Sequence, residues 1–221
     1  TTRGDLPENV RENYRRFCGA IGTNFSKIVM SNQIHGCHIR RVTEQDVKAD
    51  IYDVEGYEAD GLITDVPGIC LTIFAADCLP ILLCDPSKKI ACAVHAGWRG
   101  TAGGIAAKAV QKMREMGSKT EDILAAIGPG IDRCCFETHS DVPDAMLSLM
   151  GATAKPFIEP LIGGKFHVDL KGMNRALLLE AGLTPEHVAT AADCTCCLPE
   201  KYWSHRYTEG VRGSQVAMLQ L

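Results

Sequence analysis

No stretch of this chain approaches the roughly 20 consecutive apolar residues that a bilayer-spanning helix needs, and the opening Thr1-Thr2-Arg3-Gly4-Asp5 lacks the apolar core of a secretory signal. It also lacks an initiator Met, so the expectation is a processed chain or a segment before Thr1 that contributes to the fold. Basic clusters are absent too. Lys and Arg number 23 against 27 Asp and Glu and are scattered, and a net charge of -4 gives no electrostatic footprint for a polyanion. Neither nucleic acid nor a membrane is an expected partner; a small-molecule substrate is. No internal repeat, low-complexity tract or linker interrupts the sequence, and 46% hydrophobic with 23% charged residues is ordinary globular composition. A single domain over 1–221 is expected.

Cysteine is plentiful, at 11, yet the count is odd and Cys70, Cys84 and Cys92 sit inside apolar runs as small hydrophobes do. A disulfide framework is not expected; a reducing, cytoplasmic setting is. Cys134-Cys135 and Cys194-Thr195-Cys196-Cys197 suggest a second metal site, but their spacing is read as disfavouring it.

Short apolar segments ending at turns dominate the first half. Ile69 to Ala75 and Ile90 to Val94 read as buried strands, the first leading to Asp77-Cys78 and the second to His95-Ala96-Gly97-Trp98-Arg99-Gly100-Thr101. Pro80 removes a backbone donor, so the chain is expected to turn there and expose the Cys78 thiol. A third polar group, His35, follows the run Ile28-Val29-Met30 within Ser31-Asn32-Gln33-Ile34-His35-Gly36. His35, Cys78 and His95, with no obvious fourth ligand, are what zinc needs to keep one position for water or substrate.

Helices are expected from Asp5-Pro7 to Gly22 with apolar Val10, Tyr14, Phe17 and Ile21 recurring at helical spacing, after Gly103-Gly104 with Ile105, Ala109, Val110, Met113 and Met116 on one face, over Ser140 to Met150, and from Asn174 to Gly182. The polar stretch Thr43 to Tyr57 reads as loop. Tyr202 to Tyr207 and Gln215 to Leu221 alternate like a hairpin turning near Glu209-Gly210. Without a regular βαβ rhythm, these elements predict an α+β domain of mixed β-sheets in a layered sandwich with helices outside.

Around the metal triad several residues suit a substrate. The glycines of His95 to Gly104 free first-turn amides, those of Gly100 and Thr101 included, to face an anion, and Arg99 adds a planar fork for phosphate or carboxylate. Gln33 can share His35's face and offer an amide, or can bond its own backbone as a turn residue. His205 and Arg206 lie in an aromatic segment near the end. Asp77 and Glu137 are the candidate acid or base carboxylates, against the default of a solvated loop carboxylate for Glu137.

These motifs, with Ile127-Gly128-Pro129 and the tail from Asp193-Cys194-Thr195 to Ser204-His205-Arg206, resemble the bacterial laccase-domain family, whose members have been called polyphenol oxidoreductases, purine nucleoside phosphorylases and peptidoglycan editing factors. The resemblance covers nearly the whole chain. It implies one α/β sandwich domain, zinc on His35, Cys78 and His95, and phosphorolysis of adenosine, inosine, guanosine and methylthioadenosine with adenosine deamination as a side activity. It implies, alternatively, an amidase removing a misincorporated amino acid, L-Ser, from a UDP-linked muramic-acid precursor. Family members usually begin with a further strand pair carrying an Arg-containing, glycine-rich motif, and this chain starts after or within that region. They also tend to carry cysteine where Gly130 stands here.

Multi-copper oxidase chemistry needs several His-x-His pairs, and the seven histidines here form none. Copper remains an alternative occupant of the single site, since nitrogen and sulfur donors favour it. A structural-zinc interaction module, the non-enzymatic alternative, predicts a closed four-ligand site instead.

Overall fold

The computed structural model describes residues 4–53 and 56–221. In chain order the strands are β1 (Ile28–Val29), β2 (Ile39–Arg41), β3 (Gly61–Thr64), β4 (Cys70–Ala75), β5 (Leu79–Asp85), β6 (Ile90–Ala96), β7 (Leu124–Ile127), β8 (Glu137–Thr138), β9 (Ile158–Pro160), β10 (Phe166–Val168), β11 (Val188–Thr190) and β12 (Gln215–Gln220). The helices are α1 (Pro7–Ile21), α2 (Trp98–Ala102), α3 (Ile105–Glu115), α4 (Asp141–Met150) and α5 (Leu170–Glu180).

A six-stranded mixed sheet in the order β11-β7-β5-β6-β3-β2 forms the centre. Its strands are apolar on both faces, and the period of two sorts their side chains into two cores. From β6, Ile90, Cys92, Val94 and Ala96 join α3 and α5 on one side; Ala91 and Ala93 face the other, against Leu71 and Ile73 of β4. The second sheet, β1-β4-β12, covers that other face, and its own outer side carries Cys70 and Met218 against Cys18 of α1. The layers are therefore helix, sheet, sheet, helix, as the expected sandwich has it, with a small antiparallel sheet β8-β10-β9 beside them.

Three local expectations are corrected. Tyr202 to Tyr207 is no strand: the Ser204 and His205 carbonyls accept from Thr208 and Gly210 N–H, winding the segment into turns. β12 therefore pairs with β4 rather than in a hairpin, from Gln215 opposite Ala75 to Gln220 opposite Cys70. Pro80 does not end a strand but sits second in β5 opposite His95, where a missing donor is tolerated near a strand's start. The bend falls earlier, at Asp77, whose φ of 83° carries the chain from β4 in one sheet to β5 in the other. Finally, Phe17 and Ile21, taken from periodicity as the inner face of α1, are exposed, and Cys18 is the residue buried. Of the expected loop over 43–57, Val54 and Glu55 lie outside the described residues, and Glu44–Asp46 is a short 3-10 turn under a Thr43 capping box.

Candidate metal centre

His95 lies inside β6 rather than in the turn after it, and alternation with Ala91 and Ala93 sends its ring toward the second sheet. Cys78 closes the crossover from β4 to β5. His35 stands on the turn after β1 with φ of 62°, a left-handed conformation that a side chain adopts only when its surroundings enforce it. Asp60 enforces it. Completely buried, its carboxylate accepts from the backbone N–H of Ile34 (3.2 Å), His35 (2.9 Å) and Gly36 (2.7 Å), pinning the turn. It also binds His95 Nδ1 at 2.8 Å, which fixes the imidazole so that Nε2 faces outward.

The ligand atoms of His35, Cys78 and His95 lie within 4.8 Å of one another, a spacing one ion can bridge. The two rings meet edge to face with centroids 4.9 Å apart. The donor chemistry fits a borderline-soft divalent cation, two imidazoles and one thiolate. Their ionisation fits as well. Burial pushes the Cys78 thiol up, but bonds to His35 and His95 outweigh it and bring it to about 6. Burial pushes His95 down, yet Asp60 and Cys78 raise it to about 9. Burial of Asp60 is likewise outweighed, by His95 and the Gly36 and Ile34 amides, and its carboxyl stays below its ordinary value. A negative sulfur thus waits beside histidines held by an ionised carboxylate.

The triad forms the floor of a cavity of ≈ 970 Å³. Asp77, Arg99, His205 and Arg206 line it, with Trp98, Phe74 and Trp203 among the aromatic wall. Arg99 is exposed, its guanidinium 4.1 Å from the Trp98 ring centroid. Other expected residues are differently employed. The Gln33 amide is occupied twice by the Phe74 backbone, donating to its carbonyl and accepting its N–H, both at 2.8 Å. Gly100 and Thr101 are buried behind the cavity, where Thr101 Oγ1 accepts from Asn174 and a Cβ on Gly100 would stand 2.9 Å from the Gly36 carbonyl. Glu137 lies outside the cavity lining and is paired with Lys165 at 2.5 Å.

Asp77 is a buried bracket: Oδ1 accepts from Thr195 Oγ1 (2.6 Å) and Oδ2 from the Arg206 N–H (2.7 Å). The Arg206 guanidinium in turn donates to the carbonyls of Cys135 and Glu137. Sequence reasoning passed over Asp60, although an acidic residue directly before the buried Gly61 to Thr64 was a usable signal. The second cysteine group, which the sequence suggested and its spacing was read as disfavouring, does converge: the sulfurs of Cys134, Cys135, Cys194 and Cys197 come together.

A single α/β domain that aims two histidines and a cysteine at the floor of a deep cavity defines a class of protein with an open metal-type site. The match is more particular than that: the family model described as multi-copper polyphenol oxidoreductase laccase covers residues 1–221, and the chain belongs to this family. It is 35% identical to the purine nucleoside phosphorylase YlmD of Geobacillus stearothermophilus, over 98% of this chain and 80% of that protein. It is 33% identical to the adenosine deaminase RL5 of an unknown prokaryotic organism, over 84% and 72%. The crystal structure of YfiH from Bacillus licheniformis matches with a TM-score of 0.91 at 31% identity, over 99% of this chain and 83% of the other.

Proposed function

We propose that this protein is a zinc-dependent purine nucleoside phosphorylase acting on adenosine, inosine, guanosine and methylthioadenosine, with adenosine deamination as a side activity. The observation that carries the reading is a three-donor set, rather than a closed four-donor one, at the base of a cavity that also presents an exposed arginine and aromatic rings. Relatives named purine nucleoside phosphorylase and adenosine deaminase support the same substrate class. His35, Cys78 and His95 hold the ion, which when bound supplies Lewis-acid chemistry at the cavity floor.

The remaining chemistry falls to side chains. Arg99, exposed with its guanidinium over the Trp98 ring, offers phosphate a planar two-pronged donor. Trp98, Phe74 and Trp203 provide apolar faces for a purine ring. Asp77, with both oxygens engaged, keeps the Cys78 bend and the Arg206 segment in place and acts on substrate through that wall; Arg206, held to two backbone carbonyls, does the same. His205, exposed at the mouth, is the imidazole free to meet the ribose or base. Gln33, Gly100 and Thr101 position the ligand turn and the helix start. Glu137, outside the lining, has no direct part.

The test is phosphate-dependent release of hypoxanthine from inosine by zinc-loaded protein, with Cys78→Ala as control. Turnover that requires phosphate and vanishes with the variant is expected. Full metal occupancy without base release would reject phosphorolysis in favour of the amidase reading, for which muramyl-peptide precursors carrying serine are the assay substrates.

A further inference from the structure

Around Thr195, which donates to Asp77, four more thiols meet. The sulfurs of Cys134 and Cys135 lie 3.7 Å apart, those of Cys134 and Cys197 3.6 Å, and those of Cys135 and Cys197 3.3 Å. Cys194 completes a group whose sulfurs all fall within 4.8 Å of one another. A tetrahedral zinc with Zn–S bonds of about 2.3 Å has edges of about 3.8 Å. Three near-equal distances close to that edge describe one face of such a tetrahedron. A disulfide would single out one pair, and here Cys197 stands close to both Cys134 and Cys135. The sulfurs are also too close together for an iron–sulfur cluster to fit among them.

The backbone is arranged as thiolate sites require. Cys194 and Cys197 do carry the two-residue gap common in closed zinc sites, which the adjacent Cys196 obscures in the sequence. The Asp132 N–H donates to Cys194 Sγ at 3.3 Å, and the N–H groups of Cys196 and Cys197 also bond that sulfur. Four thiolates on a divalent ion leave a net charge of -2, and two cations stand next to the loops that would carry it: Arg206 donates to the Cys135 carbonyl at 3.1 Å, and buried Lys171 donates to the Asp193 carbonyl at 2.8 Å.

We propose that Cys134, Cys135, Cys194 and Cys197 form a second, closed zinc site whose work is structural. It joins the loop after Gly130 to the loop after Asp193, which are also linked by a parallel bridge between Gly130 and Cys194, by the Thr195 N–H to the Gly130 carbonyl, by the Asp132 N–H to Cys194 Sγ, and through Lys171, which reaches both Asp132 and the Asp193 carbonyl. Those two loops hold Asp77 through Thr195 and hold Arg206 through Cys135 and Glu137. The ion therefore braces one wall of the cavity without touching what binds there.

The site stands independently of the function proposed above, and its test separates the two. Zinc in protein purified under reducing conditions is expected at two equivalents per chain, falling to one in Cys78→Ala. X-ray absorption at the zinc edge of that variant, which leaves all four thiols intact, is expected to show four sulfur neighbours and no nitrogen or oxygen. A Cys194→Ser/Cys197→Ser variant is expected to lose the second equivalent and keep the first. A Cys78→Ala protein free of zinc, a residual ion with nitrogen or oxygen ligands, or peptide mapping that finds these cysteines disulfide-paired would each overturn the proposal, whatever the wild-type protein does with inosine.

Discussion

Replacing Asp60 by Asn tests whether one buried carboxylate organises the first donor set. The change removes the charge and turns one oxygen into an NH2 group while leaving the shape nearly the same. One oxygen now serves His35 N–H and His95 Nδ1, the other Ile34 and Gly36. Whichever way the amide is seated, two donors lose their acceptor. A fully buried donor left unsatisfied costs about 1–3 kcal/mol, and since the three amides are only part-buried while His95 is buried, the metal-free protein should lose about 1–4 kcal/mol of stability. Metal affinity should fall by about 10–100-fold, the usual effect of losing a carboxylate that orients a ligating imidazole. A third readout reports on His95 alone: with its main raising partner neutral, its imidazole should titrate well below about 9. Zinc affinity by competition with a chromophoric chelator, urea denaturation in excess chelator, and NMR titration of the imidazole measure the three. A variant that binds zinc within threefold of wild type and titrates His95 unchanged would refute the assignment of Asp60 as the organiser.

In metal-free protein the Cys78 thiolate forms at about 6, so alkylation mapped by mass spectrometry should rise through that pH at Cys78 and only near pH 8–9 at ordinary thiols, and zinc should suppress it. Gly97→Ala would place a Cβ 3.0 Å from Cys78 Sγ and 3.3 Å from His35 Cδ2, so zinc affinity should drop several-fold while urea stability, read without metal, changes little. Gly100→Ala meets two backbone oxygens instead, at 2.9 Å from Gly36 and 3.2 Å from His95, and should cost about 1–3 kcal/mol, seen as a Tm lowered by about 2–12 °C in calorimetry.

The sequence made the donor set readable because each ligand lies within a short buried strand or in the turn that follows one, and buried strands announce themselves as short apolar runs. Cys70 to Ala75 and Ile90 to Ala96 are such runs, and their ends gave Cys78 and His95. The layered sandwich was legible for the same reason, and α3 and α4 followed from helical periodicity and glycine stops. What stayed hidden depended on partners far along the chain. Alternation in Tyr202 to Tyr207 looks like a strand until the Ser204 carbonyl and hydroxyl capture the amides that follow it. Gln33 does line the cavity, but that its amide is engaged by the Phe74 backbone depends on a residue 41 positions away, which local sequence could not express. The four thiols were readable as a group but set aside on spacing, because Cys196 masks the two-residue gap between Cys194 and Cys197 and only the fold brings sulfurs more than 50 positions apart together.

Two of the buried aspartates, Asp60 and Asp77, explain why donors from such different supports can share one ion. His95 belongs to a central strand and has little freedom, Cys78 to a crossover between sheets, and His35 to a turn with no strand beneath it. Left to themselves, the crossover and the turn would sample many positions, and metal binding would have to supply the entropy of ordering them. Asp60 removes most of that cost by tying the turn to the imidazole it must approach, so that His35 and His95 move as one piece. Asp77 does the same for the crossover, tying the bend before Cys78 to Thr195 and Arg206. Each carboxylate spans more than 30 residues of sequence and couples a weakly supported ligand to a distant part of the fold. The donor set is therefore held in place before an ion arrives, and its geometry should be set by the protein rather than chosen by the metal, which makes selectivity depend on the thiolate and imidazoles themselves.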